Sequence, residues 1–158
     1  MIAEKSGEPL TFSRLAEEAQ VSRRTLYTHW GTIERVIGEA VSLRADQAEI
    51  DPTSLTPREV LRALLNRTRD RLTDPVTHLA IASLVAQASA DDKAAEVLES
   101  MSTDRLGEYA ALLGDLTHDE YSQIVGPLFF SSLVRNEPIS DEFLEEQVDR
   151  GIAILKLS

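Results

Sequence analysis

The chain has 158 residues, 42 % of them hydrophobic and 5 % aromatic, a formal net charge of −11 and no cysteine. That composition suffices for one sizeable domain or a small domain joined to a larger one, lies far from the signature of disorder, and excludes disulfides and thiolate metal sites. No apolar run reaches the length of a bilayer span and no charged-then-apolar leader precedes a cleavage site, so a cytoplasmic protein with no membrane partner is expected.

The acidity is unevenly spread. Residues 1–48 hold six Lys/Arg against seven Asp/Glu, whereas residues 49–158 hold ten against twenty. A polyanion would meet the near-neutral front and be repelled by the rest.

Helical spacing recurs along the chain and no alternating β-type segment occurs, so an all-α fold of roughly eight helices is expected. Thr11 is placed to cap a helix with Phe12, Leu15, Ala16 and Ala19 on one face, and Ser22 to cap a second that runs to Trp30. Gly31 ends that helix, and Thr32 caps a third with Ile33, Val36, Ile37 and Ala40 as its apolar stripe. After the connector IDPTSLTP, the stretch PREVLRALLNRTRDRLT puts Leu61, Leu64, Leu65, Thr68 and Leu72 on one side. Its arginines, including the cluster Arg67, Arg69 and Arg71, are expected to face solvent. Residues 75–89 are apolar nearly all round, which predicts a helix enclosed by others. A longer helix over residues 91–113 follows, with Val97, Leu98, Met101, Tyr109, Leu112 and Leu113 inward. Pro127 is expected to distort the next helix, and Ser140 to cap the last, with Asp141 and Glu142 set against its dipole.

The segment VSRRTLYTHWGT, residues 21–32, stands out in so acidic a chain. Two short helices joined by a tight turn, the second dense in donors, make a helix-turn-helix, whose second helix fits the major groove of DNA. Arg23 and Arg24 supply forked donors, Thr25, Tyr27 and Thr28 hydroxyls, and His29 a ring nitrogen. Leu26 and Val21 are expected to turn inward onto Leu15, Ala16 and Ala19. Helix pairs of this length also occur without nucleic acid, and spacing alone leaves both readings open.

The string LTFSRLAEEAQVSRRTLYTHWGTIERVI closely resembles the DNA-binding domain of TetR-family transcriptional regulators. Residues from about 45 onward are more loosely similar to that family's regulatory domain. The resemblance implies two units, a helix-turn-helix domain over 1–45 and a helical regulatory and dimerisation domain over 46–158. It implies that Ser22 to Tyr27 and His29 face DNA, with Arg23 and Arg24 reading bases, Thr25 and Tyr27 touching phosphates, and Thr11 or Ser13 adding phosphate contacts. Three departures from the family pattern stand out. Gln20 occupies a turn position usually held by glycine, which predicts a left-handed residue there. Ile33 stands where a phosphate-binding lysine is typical, removing about one counterion from the salt dependence. The opening MIAEKSGEP leaves the family's first helix only about a turn and a half, so the natural chain is expected to extend upstream.

Double-stranded DNA with a pseudo-palindromic operator, a second copy of the chain and a small-molecule effector are the partners the resemblance implies. Apolar surface from Leu128, Phe129, Phe130, Leu133, Leu144, Val148, Ile152 and Leu155 is assigned to a four-helix dimer interface. His78, Met101 and Tyr109 are candidate pocket residues, each with a core reading beside it. Gly107, in mid-helix, marks either a close helix approach or a ligand-lined gap. His118, Asp119 and Glu120 read as a solvated helix start, so no metal is assigned. With no phosphate loop or activated nucleophile, no enzyme activity and no cofactor are expected. A dimeric repressor released by an effector is the leading expectation. The alternative is a degenerate relative that binds protein partners and no longer reads DNA, motivated by Ile33 and the short first helix.

Overall fold

A computed structural model describes residues 11–33, 35–36 and 50–157. The reduced first helix, Ile37, Ala40 and the boundary at residue 45 fall outside these residues. Among the described residues there is no strand. The order is α1 (Phe12–Ala19), α2 (Arg23–Trp30), α3 (Pro57–Thr73), α4 (Pro75–Ala88), α5 (Asp92–Leu113), α6 (His118–Phe129) and α7 (Asp141–Leu155). A π-helical segment, Phe130–Val134, continues α6.

Hydroxyl and carboxylate caps set the helix starts. Thr56 and Glu59 form a reciprocal capping box ahead of Pro57, whose missing N–H costs nothing at the first helical position. Thr117 and Glu120 form a second box at the start of α6. The Ser140 hydroxyl accepts the Phe143 N–H at 3.1 Å, and Asp141 and Glu142 occupy the first turn of α7.

The main core lies between α3, α5, α6 and α7. All five residues of the predicted α3 stripe are buried, with Leu61 and Leu65 at 0 % exposure. Each such leucine contributes about 1.5–3 kcal/mol by leaving water. The last helix packs tightly on α3 at Gly151, where an added Cβ would stand 2.6 Å from Leu61 Cδ2.

Several expectations are corrected. The arginines of α3 are not a solvated face. Arg67 and Arg71 reach Glu108 on α5, at 2.8 and 3.5 Å, with only 13 % and 12 % of their side chains exposed. Arg69 bonds Asp141, and Arg58 and Arg62 bond Glu145, so α3 is held to both α5 and α7 by charge. Nor is α4 enclosed: Leu79 and Val85 are 60 % and 51 % exposed, because only the face carrying Ile81 and Leu84 packs inward. At Gly107 an added Cβ would meet nothing within 4 Å, so neither a close approach nor a lined gap explains it. Downstream of Pro127 the ladder lengthens into the π segment, closed by the Arg135 N–H on the Phe130 carbonyl at 3.1 Å.

Candidate nucleic-acid interface

Thr11 caps α1 by accepting the Arg14 N–H at 3.3 Å. The helix ends at Gln20, which takes the predicted left-handed conformation with φ 55° and ψ 36°. The Val21 N–H returns to the Ala16 carbonyl at 3.1 Å, an acceptor that the Gln20 N–H also reaches, which closes the helix end. Ser22 then caps α2, its hydroxyl accepting the Thr25 N–H at 3.0 Å. Gly31, at φ 71°, ends α2 in a conformation that side chains disfavour.

This turn fixes how α2 rolls. Leu26, 4 % exposed, packs with Phe12 and Ala16 into a small core of their own, joined by Leu15, Trp30, Ile33 and Val36. Val21, expected inside, is 40 % exposed, because the left-handed Gln20 carries the chain outward before α2 begins.

With Leu26 inward, Ser22, Arg23, Arg24, Thr25, Tyr27, Thr28 and His29 all lie exposed. Thr11 and Ser13, at the start of α1, are exposed as well. The Arg23 guanidinium donates to the Ser13 hydroxyl at 3.4 Å, linking α2 to α1. Tyr27 is 57 % exposed, and its ring lies against Phe12 with centroids 4.2 Å apart. The His29 ring lies beside Trp30. The Thr28 hydroxyl donates to the Arg24 carbonyl at 2.8 Å, which commits its proton within the helix, while the Thr25 hydroxyl pairs with Ser22 at 2.8 Å. The exposed face thus presents two guanidiniums, a phenol, a ring nitrogen and short hydroxyls on one rigid helix.

Ile33 has a larger part than its sequence position suggests. It packs in the small core of α1 and α2 and also against Leu84 of α4 and Ala94 of α5. The position where a lysine is typical of the family the chain resembles is therefore an apolar joint between the helix pair and the remaining helices. Beside it lies a cleft of about 470 Å³. Trp30, Gly31, Thr32 and Arg35 line it on one side, and Lys93, Glu96, Val97, Ser100, Met101 and Asp104 of α5 on the other.

The three candidate pocket residues do not share a cavity. Met101 lines this cleft. Tyr109 is buried in the main core, its hydroxyl 3.0 Å from that of Thr68, and burial pushes the phenol well above its ordinary range. His78 is half-buried, with Nδ1 3.1 Å from the Leu72 carbonyl and 3.2 Å from the Ser132 hydroxyl. It ties α4 to the π segment. The residues assigned to a dimer interface also divide. Leu128, Leu144 and Val148 are spent in the chain's own core at 0–2 % exposure and cannot meet a partner. Phe129, Leu133, Ile152 and Leu155 are half-buried, and Phe130 is 57 % exposed, as is its neighbour Val134 at 68 %.

Among the described residues no group of three His, Asp or Glu could hold a metal, and Glu120 is committed to its capping box. No described helix is long and apolar enough to cross a membrane.

Residues 1–40 match the family model described as bacterial regulatory proteins, tetR family. The chain is also similar to the uncharacterized HTH-type transcriptional regulator YdeS of Bacillus subtilis (strain 168), with 22 % identity over 161 residues that cover 94 % of this chain and 80 % of the relative. The capped helix pair with its donor-rich outer face agrees with both matches, which support a DNA-binding transcription regulator with a tetR-type helix-turn-helix at its N-terminal end.

Proposed function

We propose that this regulator is a cytoplasmic dimeric repressor that reads a pseudo-palindromic operator and leaves it when a small-molecule effector binds. The observation that carries the reading is the exposure of Arg23, Arg24, Tyr27 and His29 opposite the buried Leu26. A helix held by one apolar anchor and bearing its donors outward has the dimensions of the major groove. Arg23 and Arg24 read base edges. Tyr27 and Thr25 touch flanking phosphates, with Ser22, Thr11 and Ser13 supporting at the helix starts. Paired helices related by a two-fold axis read half-sites about one helical turn apart or more.

Release requires an effector that binds the DNA-competent and released states with different affinity. Ile33 supports such coupling, since any shift of α4 and α5 is passed to the helix pair through one apolar contact. Replacing Arg23 and Arg24 together by alanine is the test. The double variant is expected to lose sequence-specific retardation of operator DNA while keeping its helical content and oligomeric state. Specific binding that survives the double substitution refutes the assignment.

A further inference from the structure

Arg71 of α3 and Arg105 of α5 share one carboxylate oxygen, Glu108 Oε2, at 3.5 and 3.2 Å, while Arg67 takes Oε1 at 2.8 Å. These side chains are largely withdrawn from water, with 12 % of Arg71, 23 % of Arg105 and 22 % of Glu108 exposed. The Arg71 Nε is buried with no hydrogen-bond partner. Nε and Nη2 form the edge of a guanidinium that matches the two oxygens of a carboxylate. At Arg71 that edge carries only the long Nη2 contact, and its other donor is unused. Burial holds the Arg71 guanidinium below its ordinary range, and the like charge of Arg105 acts in the same direction, against the pull of Glu108. Two guanidiniums thus share one carboxylate oxygen, and Arg71 keeps a donor without an acceptor.

We propose that this cluster is a binding site for a small organic carboxylate whose headgroup takes the Nε–Nη2 edge of Arg71 and stands between Arg71 and Arg105. The site rests on the effector-responsive reading above and names the chemical class of the effector. The buried Tyr109 and Tyr121 rings, edge to face at 5.2 Å, lie beside the cluster, so the acid carries an apolar body rather than a second charge. Its consequence reaches α2 through α5. Asp104, adjacent to Arg105, and Met101, one turn earlier, line the cleft that faces Trp30 at the end of the recognition helix. A headgroup that draws α3 and α5 together moves that wall.

The experiment titrates the full chain, without DNA, with benzoate and octanoate and with the neutral benzamide and octanamide, by calorimetry. At least one acid is expected to bind and neither amide to do so. Arg71→Met should weaken acid binding tenfold or more. Arg71→Lys, which keeps the charge and loses the forked edge, should weaken it as well and carries the test if the methionine variant fails to fold. Glu108→Gln removes the internal competitor and should tighten binding several-fold, an effect that a purely structural ion cluster does not give. Absence of binding by both acids, equal binding of amides, unchanged affinity in the Arg71 variants, or weaker binding in Glu108→Gln each overturns the proposal. Operator retardation in the same titrations separates the two readings. Acids that bind at Arg71 without releasing DNA leave this site standing and remove the effector response. Release that persists in both Arg71 variants does the reverse.

Discussion

Phe12 and Tyr27 pack ring against ring across the first two helices, with centroids 4.2 Å apart and planes tilted by 49°. One ring is buried at 6 % exposure and the other is 57 % exposed, so the pair carries rigidity from the small core out to the donor-bearing face. A phenol on a ring fixed in this way has lost its rotamer entropy before DNA arrives. Tyr27→Phe keeps the ring contact and removes only the hydroxyl. It is expected to leave the melting temperature unchanged and to weaken binding to operator and random duplex DNA by a similar factor, about tenfold or more for a lost charge-assisted hydrogen bond. A loss confined to the operator would make Tyr27 a base reader instead of a phosphate contact.

At Ile33 the apolar joint and the missing cation make opposite demands on one side chain. Ile33→Lys should steepen the dependence of DNA affinity on salt by about one counterion per protomer. The same change takes a branched side chain out of two apolar clusters, at a cost of about 1 kcal/mol, part of which a lysine stem recovers by lying along the surface. Salt titrations and thermal melts of the two proteins check both halves.

The turn between α1 and α2 offers a gain in stability. Gln20 sits at φ 55°, where a side chain costs about 1–2 kcal/mol, while glycine in the unfolded chain costs about 0.5–1 kcal/mol of extra entropy. Gln20→Gly should therefore stabilise the protein by about 0.5–1 kcal/mol, read as a higher denaturation midpoint at unchanged slope.

Much of this was legible from local chemistry. Thr11, Ser22, Thr32 and Ser140 were each readable as caps, and Gln20 as a left-handed residue, because such features depend on neighbours within four positions. The buried stripe of α3 followed from period alone. What failed depended on partners distant in sequence. Arg67 and Arg71 read as solvated because nothing near them announces Glu108, some forty residues away. Leu128, Leu144 and Val148 read as interface because an apolar face looks the same whether its own chain or a copy covers it. The joint at Ile33 needed the placement of Leu84 and Ala94, which no pattern in residues 21–36 carries.

Acid should loosen α3, α5, α6 and α7 from their carboxylates inward. Hydrogen bonds from Thr56 and Thr117 hold Glu59 and Glu120 below the ordinary value of 4.5, and the Arg62 hydrogen bond does so for Glu145. At Glu108 burial works upward, but the Arg71 charge and the bonds from Arg67 and Arg105 prevail and the carboxyl is again lowered. Each folded-state pKa lies below its unfolded value, so the stabilisation is complete above about pH 4.5 and is lost as pH falls through the folded values. Helical signal in mild denaturant should be flat from neutrality down to that point and fall below it. In Glu145→Gln stability at neutral pH should be lower and the acid fall shallower, since one of the protons taken up on unfolding is gone.

The exposed part of the apolar face makes the proposed dimer testable without touching the fold. With Leu128, Leu144 and Val148 committed to the core, the outward apolar groups at the end of α6 are Phe130 and Val134, 57 % and 68 % exposed. A charge at either meets solvent in the isolated chain and costs it little, whereas in a two-fold contact each charge is buried or faces its own copy. Phe130→Glu and Val134→Glu are therefore expected to keep the melting temperature of the monomer fold within a few degrees and to shift sedimentation to the monomer. Operator affinity should then fall steeply, because one recognition helix binds only a half-site, while affinity for an isolated half-site stays the same. Unchanged sedimentation in both variants would place the two-fold contact elsewhere on α6 and α7, at the half-buried Ile152 and Leu155. Phe130 and Val134 are the first and last residues of the π segment that follows Pro127, so this exposed face lies where the proline interrupts the helical ladder.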